Sequence, residues 1–343
     1  MCVKILVLLT GGTIGSSVSG GVISADEGTS SLLTQLYCQR YGRHHVFTVK
    51  RIMNTLSENL GKNTLSEMLS AVLSENLSGY DGLIITHGTD SLAFSAPLAA
   101  FVLRKLPCPI AVVSANYPLE DKRSNGVYNF ASAVALLGSG EAENGQVYVP
   151  WRNAKGENII HLASRVRRAD CYSDDVSSFG SEPFGEVKNG IFIRNKYMKE
   201  LPKDDFDFSL NSFNIKNSVL VLSAYPTFDY SLIDFSEKNR PCAVLQCLYH
   251  SATACTVGES ESACEFILRC KKKGIPVYGC SFKYTSGEFY ETGVKLLESG
   301  LIPLKNISEE AAFAKLTFAY NCGYENVEEI IDKNLCSEIL PRP

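Results

Sequence analysis

Two short stretches of this 343-residue chain hold the residues best suited to chemistry. The first, Thr10-Gly11-Gly12-Thr13-Ile14-Gly15, follows the apolar run Lys4–Leu9 and sets a hydroxyl among glycines. Glycines let backbone N–H groups come close to a bound molecule, and a strand ending here would leave Thr13 at the carboxyl edge of a sheet, where open α/β folds bind ligands. A phosphate-binding turn would need G-x-G-x-x-G or G-x-x-x-x-G-K-[ST], and the stretch has neither spacing. Any tight strand-to-loop turn also uses glycine, and this motif alone does not separate a ligand loop from a plain turn. The second stretch, His87-Gly88-Thr89-Asp90-Ser91, puts a hydroxyl beside a carboxylate at the opening of a helix. The partial positive charge of a helix N-terminus suits a bound carboxylate or a developing oxyanion, while Asp90 has the alternative role of an N-cap. His87 is expected to pack beside the turn. No G-x-S-x-G elbow or cysteine-nucleophile signature accompanies these stretches, so the chemistry on offer is that of a threonine hydroxyl, a weak nucleophile that needs activation, acting on a small polar substrate.

Both stretches must be held by buried strands. Lys4–Leu9 is short, apolar and rich in β-branched residues, and residues 83–85 form a second such run behind Asp81-Gly82. Residues 91–106 carry Leu92, Ala96, Ala99, Ala100 and Leu103 at helical spacing, and residues 65–77 carry Leu65, Met68, Leu69, Val72 and Leu73 in a pattern that fits a crossover helix. Residues 109–113 are a further strand and 127–137 a further helix. From about 180 to 217 no period is sustained. A second α/β unit follows, with strands at Val219–Ser223, 243–248 and 275–280 and helices at 230–238 and 261–273, the latter closed by Lys271-Lys272-Lys273-Gly274. The expected fold class is α/β in two domains: a larger N-terminal domain, 1–188, with a mostly parallel sheet flanked by helices and carrying the threonine loops; a linker, 189–215; and a smaller Rossmann-like α/β domain, 216–343.

Composition narrows the function classes. With 45% hydrophobic and 20% charged residues and a net charge of −4, the chain carries no sign of a nucleic-acid or lipid-binding surface. The single Lys4 and the five-residue apolar run before Thr10-Gly11-Gly12 do not make a signal peptide, and no apolar run reaches the roughly 18–20 residues of a membrane span. The twelve cysteines are scattered and mostly set among apolar residues, as at Cys108, Cys242, Cys247 and Cys280, which fits free thiols in a reducing cytoplasm. There is no CxxC pair, and His44-His45 has no cysteine nearby, so neither a metal nor a cofactor is expected. The expectation is a soluble, cytoplasmic protein.

Thr10-Gly-Gly-Thr-Ile-Gly15, followed some seventy residues later by Asp81-Gly-Leu-Ile-Ile-Thr-His-Gly-Thr-Asp-Ser91, resembles the paired signatures of bacterial asparaginases and glutaminase-asparaginases. The likeness continues at residues 110–119, at Lys122-Arg-Ser-Asn-Gly126, and from Ser286-Gly287-Glu288 to Ile302-Pro303; it is strongest in the first 130 or so residues and looks nearest to the cytoplasmic type I branch. The resemblance implies an amidohydrolase that cleaves the side-chain amide of asparagine. In it Thr13 matches the first catalytic threonine and acyl acceptor, and Thr89 and Asp90 match the second threonine and its acidic neighbour, which also grips the substrate α-amino group. Ser57 matches the residue that binds the substrate α-carboxylate, with Glu58 beside it; a loop hydroxyl or N-cap is the equal alternative for Ser57. Gly88 and Ala115 complete the implied substrate-binding set. The resemblance further implies a homodimer or homotetramer acting on a small amino-acid substrate, without cofactor.

The pattern breaks in two places. The family's activating lysine is absent: there is no lysine between Lys155 and Lys188, alignment on Asp175 and Phe179 puts Asp170 at its position, and Arg167 and Arg168 are the nearby cations. Arginine can support charge but cannot accept a proton at neutral pH. The loop after Thr13 also lacks the family's tyrosine, with Val22 nearest by spacing and Tyr117 or Tyr290 as substitutes from elsewhere. The family's second-domain Gly-Asn contact reads Leu248-Tyr-His-Ser-Ala-Thr253, which offers His250 and Ser251 to line the pocket. These departures leave two further readings, an amino-acid-binding or sensor module with weak or no catalysis, and a hydrolase of a different amide.

Overall fold

The computed structural model describes residues 2–12, 14, 16–19, 22–25, 32–42, 44–198, 200–283 and 289–341. Strand β1 (Lys4–Leu9) sits between β4 (Val46–Arg51) and β5 (Gly82–Thr86), parallel to both. A small antiparallel hairpin, β2 (Ser16–Ser19) with β3 (Val22–Ala25), and helix α1 (Leu32–Tyr41) lie between β1 and β4 in the chain. The sheet extends in parallel from β5 to β6 (Ile110–Val113) and β7 (Val147–Arg152), then turns antiparallel through β8 (Asn158–Leu162), β9 (Gly185–Lys188) and β10 (Ile191–Arg194), for eight strands in all. Helix α1 lies in the crossover from β1 to β4, and the other crossovers of the parallel part are α2 (Lys62–Leu73), α3 (Leu92–Leu103) and α4 (Gly126–Leu137).

The period-2 alternation of strand side chains decides which helix covers which face. Ile5, Val7, Ile84, Ala111 and Val113 point to α1 and α4, whereas Leu6, Leu8, Leu83, Ile85 and Val112 point to α2 and α3. Helix α3 is apolar all round and buried along almost its whole length, so it needs cover on both sides. The sheet supplies one side. The other is α7 (Glu309–Ala319), which belongs to a second, four-stranded parallel sheet of β11 (Val219–Ser223), β12 (Ala243–Cys247), β13 (Val277–Phe282) and β14 (Ile302–Lys305). In that sheet Leu245, Cys247, Tyr278 and Cys280 face α7, while Val244 and Val277 face α5 (Ala263–Lys272), and α6 (Glu291–Glu298) packs against α5. Helix α8 (Val327–Asp332) packs on α7. Two α/β units thus share one apolar seam through α3 and α7, which is the α/β, two-domain architecture expected.

The structure adds a strand to one expected connection, replaces one expected helix and removes one alternative role. The segment 189–215 is not connective throughout: β10 pairs with β9 in the first sheet across Asn189-Gly190, whose φ values of 52° and 78° make the left-handed two-residue turn that Asn-Gly favours. Residues 230–238 do not form a helix. That stretch holds a single 3-10 turn, Tyr230–Leu232, capped by Asp229 accepting the Ser231 N–H at 2.8 Å, and Asn239 Oδ1 then accepts the Ser236 N–H and hydroxyl; such local side-chain bonds compete with helical ones. Asp90 is not the N-cap of α3, a position that Ser91 takes without a side-chain capping bond.

Candidate active site

β1 and β5 are neighbours, yet the chain leaves β1 toward β4 and leaves β5 toward β6, in opposite directions along the sheet. Such a switch point opens a crevice beyond the carboxyl ends of the strands. The two strand ends are stitched together there: Thr10 donates its hydroxyl to the Thr86 carbonyl, and Thr86 Oγ1 accepts the Thr10 N–H at 3.1 Å. A third loop, after β4, joins them through the Gly12 N–H on the Thr55 carbonyl at 3.1 Å and the Thr55 N–H on the Thr10 carbonyl at 3.0 Å.

Glycine is required here by space. A Cβ on Gly12 would lie 2.4 Å from the Gly88 nitrogen, and one on Gly88 would lie 2.4 Å from Ser57 Oγ. Gly12 also sits at φ 79°, in the left-handed region. Backbone therefore touches backbone between the first and second sequence motifs, with the third loop closing on both. Ser57 is buried, and its hydroxyl bridges to the start of α3, donating to Asp90 Oδ2 and accepting the Asp90 N–H, both at 3.2 Å. Ser91 Oγ donates to the Ser57 carbonyl at 2.8 Å.

Of the residues expected at the site, Ser57, Gly88 and Asp90 are in direct contact, and Thr89 lies between the last two. Thr89 is half-buried, and its hydroxyl makes no hydrogen bond to another described residue. Asp90 is exposed apart from its Ser57 contact, and Glu58 is exposed in the same single 3-10 turn as Ser57. Thr13 lies outside the described residues; Gly12, one peptide bond away, is the residue in contact with Gly88. Ala115 is fully buried, with its methyl close to Gly126, so it supports the loop after β6 from behind. That loop is fixed by reciprocal bonds between Asn116 and Asn125, at 3.0 and 3.1 Å. His87 packs beside the turn as expected: its ring nitrogens meet the Gly88 carbonyl at 2.7 Å and Ser95 Oγ at 2.9 Å, and burial lowers its pKa.

The cations near the missing lysine are committed elsewhere. Arg167 pairs with the buried Glu310 at 3.2 Å, and Arg168 pairs with Glu309 and Glu310 at 3.5 Å each. The Asp170 carboxylate accepts the backbone N–H groups of Tyr172 and Ser173, which lowers its pKa and makes it a turn residue. The side chain of Val22 lies outside the described residues; Tyr117 lies under the Arg123 guanidinium, and Tyr290 is exposed at the start of α6. His250 and Ser251 are hydrogen-bonded to each other, at 3.1 Å, in the turn after β12. The sequence reading missed Thr10, Thr55 and Thr86, whose bonds join the three loops; Thr10 and Thr86 flank the motifs and carried a signal, whereas nothing local marks Thr55.

Residues 4–199 match the family model described as Asparaginase, N-terminal. Among curated proteins, the chain is 25% identical over 338 residues to a glutamyl-tRNA(Gln) amidotransferase subunit of Methanosphaera stadtmanae, covering 95% of this chain and 74% of that one. The corresponding protein of Metallosphaera sedula is 25% identical over 356 residues, covering 99% and 77%. The fold matches the thermostable L-asparaginase of Thermococcus kodakarensis at TM-score 0.78 and 22% identity, over 98% of this chain and 99% of that one. It matches L-asparaginase I of Vibrio cholerae at TM-score 0.79 and 20% identity, over 99% and 100%. No helix among the described residues is long and apolar enough to cross a membrane. With a family model spanning more than half its length, and its two signature loops meeting at the switch point of the sheet, the chain belongs to the asparaginase family of amidohydrolases.

Proposed function

We propose that the protein hydrolyses the side-chain amide of asparagine to aspartate and ammonia through a threonine nucleophile. The observation that carries this is the backbone contact between Gly12 and Gly88, with Ser57 bridging to Asp90: it supports a single site that draws on both threonine loops. In this reading Thr13 Oγ attacks the amide carbon, the amide nitrogen leaves as ammonia after protonation, and water then hydrolyses the ester formed on Thr13. Backbone N–H groups of the glycine loops stabilise the oxyanion. Asp90 takes the substrate α-ammonium group and Ser57 its α-carboxylate, with Glu58, Gly88 and the Ala115 loop completing the walls. Since Arg167 and Arg168 are held by Glu309 and Glu310, and arginine is no base, proton removal falls to the Thr89-Asp90 pair. We place the domain boundary after β10, and read the protein as a cytoplasmic homodimer or homotetramer, which a sedimentation mass well above the 37.6 kDa chain mass would support.

A second reading is favoured by the curated relatives, which are named as amidotransferase subunits. In it the same site takes glutamine and passes ammonia to a partner protein. Ammonia release from asparagine and glutamine by the purified chain separates the two. Turnover of asparagine supports the first reading, turnover of glutamine with poor use of asparagine the second, and no release from either amide contradicts both.

A further inference from the structure

Cys247 and Cys280 are far apart in sequence but are register partners on the adjacent parallel strands β12 and β13, and both side chains point at the first turn of α7. They are 2% and 0% exposed. Glu309 enters from that first turn, and its carboxylate oxygen and the two sulfurs all lie within 4.8 Å of one another. The Glu309 carboxylate is partly exposed and also pairs with Arg168 at 3.5 Å, so a cation seated against the two sulfurs would share this carboxylate with the guanidinium.

We propose that Cys247, Cys280 and Glu309 form a binding site for a thiophilic divalent cation of the zinc class. Two thiolates and one carboxylate make a three-ligand set that zinc accepts in tetrahedral geometry, leaving a fourth position for water. Sulfur ligands select against magnesium and calcium. The carboxylate end of the site faces open space, because Glu309 also lines a cavity of about 470 Å³ between α2, α3, α7 and β11, together with Arg168 and Ser223. On binding, both thiol protons leave to solvent and two metal–sulfur bonds form. The cation ties β12, β13 and α7 to one another. Since α7 packs on α3, whose first residues follow Thr89-Asp90, it stiffens the seam behind the candidate active site. This site is separate from the threonine loops and does not depend on the reaction proposed for them.

The test uses the full-length protein, freed of metal with a chelator and kept reduced, titrated with Co²⁺ and with Zn²⁺. One equivalent of Co²⁺ should give a thiolate charge-transfer band in the near ultraviolet, and Zn²⁺ at a hundredfold excess over its Kd should raise Tm by about 5 °C. Cys247→Ser and Cys280→Ser should each weaken the band by about half or more, the double variant should abolish it, and Glu309→Gln should weaken binding by roughly tenfold or more. Circular dichroism checks that each variant folds. The proposal is overturned if the wild-type protein gives neither band nor Tm rise, if the band survives in the double serine variant, or if protein purified from cells carries a Cys247–Cys280 disulfide.

Discussion

Gly12→Ala adds one methyl group at the point where the first and second motif loops touch, and its effect follows from the geometry. The new Cβ would stand 2.4 Å from the Gly88 nitrogen, 2.7 Å from the Gly88 Cα and 2.9 Å from the His87 carbonyl carbon. All three are backbone atoms, so no side chain can swing aside. Restoring a normal contact of about 3.5 Å requires the loops to part by roughly 1 Å. A misplacement of about 1 Å between groups that must act together costs on the order of 100-fold in rate. The left-handed φ of 79° adds strain of about 1–2 kcal/mol for any residue with a Cβ. Gly79 separates the two effects, since it has φ 78° but nothing within 4 Å of its would-be Cβ. Steady-state ammonia release and thermal melting on both variants give the answer. Gly12→Ala should lose about 100-fold in kcat/KM with a Tm drop of several degrees, whereas Gly79→Ala should show a smaller Tm drop, from strain alone, and unchanged kcat/KM. A folded Gly12→Ala protein with wild-type kcat/KM would refute the convergence of the loops on one site.

Two further outcomes bear on stability. Lys315 and Glu338 form an ion pair at 2.9 Å with side chains 1% and 0% exposed, and Glu338 also accepts the Leu335 and Cys336 N–H groups, pinning the C-terminal segment to α7. Lys315→Met should lower unfolding stability by about 3–5 kcal/mol, read from urea denaturation; an unchanged midpoint would show that the pair is not holding the segment. His161 is buried with a ring nitrogen 2.8 Å from Ser178 Oγ, and burial lowers its pKa from 6.5 to about 4. The unfolded chain gains a proton below pH 6.5 that the folded chain refuses until about pH 4, so stability falls through this window, by about 3 kcal/mol in all. Burial of His87 acts in the same direction. Melting at pH 7 and pH 5 should show a larger drop for the wild type than for His161→Gln, and equal drops would contradict the assignment.

Much of the first domain was legible because its strands are short apolar runs that stop at glycine, as at Lys4–Leu9, and its helices keep a strong period. The hairpin of β9 and β10 was missed although Asn189-Gly190 is a strong turn signal, because the flanking runs are only four residues long. The helix expected at 230–238 failed for a local reason, the competition from Asp229, Ser236 and Asn239. Site geometry was partly legible. The motifs point to Gly88 and Asp90, but the Ser57–Asp90 bond joins residues 33 positions apart, and Arg168 meets Glu309 across 141 positions. Such contacts follow from the order of strands in the sheet, which the local pattern does not specify. Ala115 shows the same gap, a loop residue by sequence that is wholly buried by the packing of α4.

Acylation of a threonine hydroxyl beside the Gly12–Gly88 contact by a small amide substrate is the step on which the proposed chemistry depends. Rapid quenching of the enzyme during asparagine turnover, followed by mass spectrometry of the peptide that contains Thr13, tests it most directly. An aspartyl adduct on Thr13 that builds up within the first turnover, and is absent in Thr13→Ala, is the result predicted. Full ammonia release by Thr13→Ala at the wild-type rate would contradict it.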